Sequence, residues 1–95
     1  MKINLKALNF KASAQLKEFI DEKVGKLFNF SDDIISAEVT LTANDIKIPN
    51  NKVCEIRLVV PGYDDFVKKE ARSFEEAILS AVEVLQKVLR RKKGK

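Results

Sequence analysis

The 95-residue chain contains no histidine and one cysteine, Cys54. Without histidine, the usual zinc sites and the Ser-His and Cys-His catalytic arrangements lack an essential member. A lone cysteine cannot close an internal disulfide, as suits a reducing cytoplasm. Three glycines, two prolines and no low-complexity tract exclude collagen-like and disordered classes. No apolar run exceeds four residues, against the roughly 20 that a bilayer-spanning helix needs. The opening residues, Met1 to Lys6, alternate apolar and polar and carry no signal-peptide core. What is present, 45% hydrophobic and 34% charged residues, suits one soluble globular domain with one modest core. The expectation is a cytoplasmic binding protein rather than an enzyme. It includes no catalytic residue, no metal, no cofactor, no small-molecule substrate and no membrane association.

Charge is informative by position. The net of +4 comes from 18 basic and 14 acidic residues. Residues 84–95 hold six of the basic ones, Lys87, Arg90, Arg91, Lys92, Lys93 and Lys95, and no acid. The first 83 residues are therefore slightly acidic, with 12 basic against 14 acidic groups. A local cationic segment implies a local anionic partner, or a solvated tail that favours the end of a helix through its dipole.

Residues 2–10 read as a strand with Ile3, Leu5 and Ala7 on one face, although Leu8 and Phe10 fall out of phase. Ser13 is a candidate N-cap, and Leu16, Phe19, Ile20, Val24 and Leu27 recur at helical spacing, predicting a helix over 14–28 with Gly25 inside it. Ile35, Ala37, Val39 and Leu41 alternate with polar residues, predicting a half-buried strand over 35–42. A loop over 44–51 leads to a second strand with Cys54, Ile56, Leu58 and Val60 inward, which makes Cys54 a buried, inert thiol. Pro61-Gly62 suits a type II turn, and residues 66–72 form a weaker strand. There Lys69 shares the inward face with Val67 and Ala71, so it must snorkel at an edge. Ser73 caps a final helix with Glu75 and Glu76 in its first turn, an apolar stripe from Phe74 to Leu89, and Leu79 off the stripe. The expected fold is α+β: a β-α-β-β-β-α two-layer sandwich, a four-stranded sheet with both helices packed on one face and a parallel crossover from the first strand to the second.

Three stretches then carry a resemblance. They are the opening strand and helix from Ile3-Asn4-Leu5 to Lys23-Val24-Gly25-Lys26-Leu27, the alternating segment Ala37-Glu38-Val39-Thr40-Leu41, and the closing helix with Ala77-Ile78, Ala81-Val82, Leu85 and Leu89 running into Arg90-Arg91-Lys92-Lys93. In order, spacing and total length the chain resembles the short form of the ribosome hibernation promoting factors, also called ribosome-associated inhibitor or sigma-54 modulation proteins. Ser73, Leu79, Val84 and Val88 depart from residues common at their positions in that family. The resemblance implies that residues 1–95 are a single ribosome-binding domain with a basic tail at about 90–95, ending where the short form ends, without the dimerisation domain of long forms. It implies docking on the small ribosomal subunit of the 70S ribosome, on 16S rRNA near the decoding centre, where the protein blocks mRNA and tRNA binding in stationary phase or stress. The family's older name leaves open a module that modulates a transcription sigma factor.

The family's RNA-contacting residues lie on the two helices. Carried over, they fall on Lys23 and Lys26 of the first helix and on Lys87, Arg90, Arg91 and Lys93 of the second. Their chemistry fits independently: Lys and Arg neutralise phosphates with counterion release, and Arg also clamps phosphate or stacks on a base. Lys23 and Lys26 equally suit a solvated helix face, with Glu22 and Lys26 as an i,i+4 pair. Arg57 and Lys68 read as sheet neighbours. Phe30 and Tyr63, near loops, read as closing the edge of the core more than as platforms for bases. Asp32-Asp33 and Asp64-Asp65 read as turn chemistry, since they lack the ligand spacing of a calcium loop.

Overall fold

Period-two and period-3.6 segments alternate as the sequence predicts. In the computed structural model, which describes residues 2–93 and their side chains through Arg91, the elements are β1 (Ile3–Leu8), α1 (Ala14–Gly25), a 3₁₀ turn (Lys26–Phe30), β2 (Ser36–Thr42), β3 (Lys52–Val60), β4 (Tyr63–Ala71) and α2 (Phe74–Lys93). The sheet order is β1-β2-β3-β4, with β1 parallel to β2 and the other pairs antiparallel. Registers Ala37↔Leu58, Val39↔Ile56 and Leu41↔Cys54 align the inward residues of the two central strands, all almost fully buried. Both helices lay their apolar stripes on these residues, and the buried side chains form one contiguous cluster. The expected α+β sandwich is the observed one.

Local chemistry sets the element ends. Ser13 Oγ accepts from the backbone N–H of Leu16 at 3.1 Å, and Ser73 Oγ from that of Glu76 at 3.2 Å, so each helix begins on a serine cap. β1 stops at Leu8 because Asn9 turns left-handed (φ 68°). Asn44, also left-handed (φ 57°), closes the end of β2, and its side-chain amide donates to the Asn9 carbonyl at 3.3 Å. Asparagine is among the few non-glycine residues that tolerate this backbone. Gly62 takes φ 87° in the two-residue turn between β3 and β4, the conformation a type II turn requires after Pro61.

Several boundaries differ from expectation, among them the end of β1 at Leu8 rather than at residue 10. The regular helix ends at Gly25, not at residue 28; the chain tightens into the 3₁₀ turn, whose i,i+3 geometry puts Leu27 and Phe30 on one side. Leu27 is thereby fully buried and Phe30 sits at the core's edge. Ile35 is 59% exposed, since β2 begins at Ser36 and Ile34 takes the buried place before it. β4 starts at Tyr63, three residues early, because the tight turn lets pairing resume at once as Val60↔Tyr63. Lys69 is half-buried on the inward face of an edge strand, as snorkelling demands.

The topology also orients the helices. β1, β2 and β4 run one way and β3 the other. Each helix follows a strand of the first direction and returns along the sheet, so α1 and α2 point the same way. Ring stacking of Phe10 on Phe74, centroids 4.5 Å apart, joins the residues at their N-terminal ends. The Arg90 guanidinium, 5.6 Å from the Phe30 ring centroid, joins the segment following α1 to the C-terminal end of α2.

Candidate nucleic-acid interface

Because the helices are aligned, the cations at their C-terminal ends gather at one end of the molecule. Lys23 lies in the last turn of α1, Lys26 opens the 3₁₀ turn, and Lys87, Arg90 and Arg91 lie in the last turns of α2. Each position also suits the negative end of a helix dipole. The fold thus brings five of the six sequence-predicted residues to the same end. Lys93 completes the helical backbone, and its side chain lies outside the described residues.

The five are not equally available. The Lys23 ammonium reaches Glu22 at 3.1 Å and lies 5.7 Å from the Phe19 ring centroid, leaving its side chain 26% exposed. Its hydrogen bond and charge hold the Glu22 carboxyl below the ordinary range. Lys87 pairs with Glu83 at 3.5 Å but remains 63% exposed. Such exposed pairs are weak and exchange readily for a stronger anion. Lys26, Arg90 and Arg91 are exposed, and among the described residues none of them has a carboxylate within ion-pair distance. The most available charge is therefore Arg90-Arg91 and Lys26, with Lys87 beside them and Lys23 behind.

Phe30 answers the question its sequence left open in one respect: it packs at the core's edge, and its ring also carries Arg90. No local signal announces that contact, because 60 positions separate the two residues. Beside them a cleft of about 440 Å³ opens between the loop after the 3₁₀ turn, the β3–β4 turn and Leu89.

Elsewhere the surface suits a polyanion poorly. On the sheet's open face, Glu38, Glu55, Asp64 and Glu70 intersperse with Lys6, Arg57 and Lys68. Arg57, beside the Phe66 ring (5.7 Å) much as Arg90 is beside Phe30, differs in having a carboxylate partner, Asp64 at 4.0 Å, and Asn4 donates to Glu38 at 2.8 Å. Cys54 is buried, and burial, with a smaller contribution from the Glu55 charge, pushes its thiol up to about 12, so it offers no nucleophile. Among the described residues no cluster of acidic or cysteine side chains could hold a metal ion, and no helix is long and apolar enough to cross a membrane.

The family described as sigma 54 modulation protein / S30EA ribosomal protein matches residues 3–95. A ribosome hibernation promotion factor of Deinococcus radiodurans is 32% identical over 89 residues, covering 92% of this chain and 46% of the relative. One from Bacillus subtilis is 26% identical over 97 residues, covering all of this chain and 50% of the relative. The chain thus spans about half the length of these curated relatives. Two solved structures share the fold. The N-terminal domain of Thermus thermophilus Protein Y superposes with a TM-score of 0.81 at 23% identity, covering 96% of this chain and 98% of that one. A ribosomal subunit interface protein from Coxiella burnetii superposes with a TM-score of 0.82 at 18% identity, with full coverage of both.

Proposed function

The chain belongs to the sigma 54 modulation protein / S30EA ribosomal protein family, and from that premise we propose that it is a cytoplasmic ribosome hibernation factor with no catalysis of its own. It docks on 16S rRNA of the small subunit, near the decoding centre of the 70S ribosome. There it occupies space that mRNA and tRNA need and so inhibits translation in stationary phase or stress. Residues 1–95 act as the ribosome-binding domain, and the contacts are Lys23, Lys26, Lys87, Arg90, Arg91 and Lys93.

One observation supports this reading above the rest: a slightly acidic body has aligned helices whose cationic ends coincide, with Arg90 and Arg91 unpaired among the described residues. Folded RNA presents a dense array of phosphates, and a rigid cationic end reads its shape and charge rather than its sequence. Arginine at these exposed positions fits, since its fork clamps phosphate with two parallel hydrogen bonds.

The test is cosedimentation with purified 70S particles on a sucrose gradient, comparing wild type with the triple variant K87Q/R90Q/R91Q. Neutral replacements are preferable to glutamates, which would oppose the dipole of α2 and weaken the helix itself. Wild type should pellet with ribosomes and the variant should remain at the top. Equal pelleting would remove the site assignment. Retention by a sigma factor but not by ribosomes would move the protein to the role in the family's older name.

A further inference from the structure

We propose that the cleft beside Arg90 receives a single unstacked base of the bound RNA, with guanine preferred. The inference rests on the RNA-binding reading and adds a base-recognition subsite to it.

The cleft lies where three chain segments meet: Phe30 with Asp32 and Asp33 from the loop before β2, Pro61 and Tyr63 from the β3–β4 turn, and Leu89 from α2. Its volume of about 440 Å³ falls within the range of small-ligand sites, ~300–1,000 Å³. That admits one base with its ribose and excludes a helix. The floor is apolar. Phe30 packs on the core, Val60 and Leu89 are buried, and Tyr63 is 52% exposed at the rim. An exposed aromatic beside such a floor is what a base needs for stacking, and the Arg90 guanidinium stands 5.6 Å from the Phe30 ring centroid.

Charge divides the ligand. Asp32 and Asp33 are exposed at the mouth and repel a phosphate, so the backbone cannot enter. Arg90, which follows Leu89 and lies 5.6 Å from the ring of the cleft residue Phe30, attracts it, with Arg91 next on the helix. A nucleotide satisfies both demands at once when its phosphate rests on the arginines and its base turns into the cleft. Carboxylates only accept hydrogen bonds at neutral pH. They therefore favour a base edge with adjacent donors, and guanine, with N1–H beside its N2 amino group, presents two where uracil presents one. Loop chemistry holds the acids in place: Ser31 Oγ accepts from the backbone N–H of Asp33 at 3.1 Å.

The test uses the whole chain, ¹⁵N-labelled, titrated at low salt with the pentaribonucleotides UUGUU and UUUUU. The expected result is movement of the amide signals of Asn29, Phe30, Asp32 and Tyr63, at about tenfold lower concentration for UUGUU. D33N should abolish that preference without loss of spectral dispersion. F30L keeps an apolar side chain on the core and removes the ring, and Y63A changes an exposed position. Each should weaken UUGUU binding about tenfold and reduce retention on 70S particles. If the cleft signals stay still while those of Arg90 and Arg91 move, the base site is wrong and the RNA reading stands. If neither set moves and the chain ignores ribosomes, both fall. Unchanged particle retention by F30L and Y63A also overturns the subsite.

Discussion

The two ends of the helical layer solve one packing problem in the same way and then diverge. At the N-terminal end, Phe74 stacks on Phe10 and carries the Lys52 ammonium 5.8 Å from its centroid. At the C-terminal end, Phe30 closes the core and carries Arg90. An aromatic ring under a cation is thus a generic seal, attractive by the ring's quadrupole and useful to any small core. The surroundings differ. Lys52 has Glu75 and Glu76 in the nearby first turn of α2, where acids suit the positive end of the helix dipole. Arg90 has Arg91 next to it, Lys87 one turn before it and Lys26 in the same 3₁₀ turn as its ring partner Phe30, more positive charge than closing the core requires. That surplus, and not the ring–cation contact, is the functional signal.

The strongest way to break this comparison is salt. With about five phosphate contacts at the cationic end, affinity for ribosomal particles should fall roughly 500-fold between about 50 and 200 mM salt, measured by cosedimentation. Within that experiment, R90Q/R91Q should reduce the log–log salt slope by about two, whereas E75Q/E76Q at the opposite end should leave it unchanged. Equal effects of the two pairs would mean that the ends are not functionally distinct.

Packing probes come next in size. Phe74→Ala removes one ring of the stacked pair and should cost about 2–4 kcal/mol in thermal unfolding, while the folded fraction keeps its salt slope. Smaller still, Ser13→Ala and Ser73→Ala each remove a helix cap and should cost about 1 kcal/mol, again with particle affinity unaltered. A change in slope from either cap would show that the ends communicate through the helices.

Cys54, in the core between the ends, gives the smallest effect at neutral pH. Its raised folded-state value means that the unfolded thiol ionises first, near 9, so its contribution to stability is complete below that pH and is lost as pH rises toward about 12. A thiol reagent at pH 8 should leave the folded chain unlabelled and label the unfolded one. Rapid labelling of the folded chain would contradict the burial.

Much of the fold was legible because short-range patterns carry it. The inward faces of β2 and β3, both serine caps and the stripe of α2 follow from periods of two and 3.6. The misplaced boundaries lie where a local rule met a competing geometry. Gly25 sits inside an unbroken apolar period that the chain satisfies with a 3₁₀ turn. Asp64-Asp65 lacks strand propensity yet pairs because the preceding turn fixes its register. The candidate residues were found through charge and family likeness, and the element order already implies that their two helices point one way. What no local pattern could supply is contact at long separation: Phe10 with Phe74, Arg90 over Phe30, and the cleft that Phe30 helps to line.

Tyr63 has a practical consequence. It is the sole tyrosine of a chain without tryptophan, and it stands at the mouth of the cleft. Ultraviolet emission from the native protein therefore comes chiefly from one ring in one place. Quenching of that light reports occupancy of the cationic end without any attached dye.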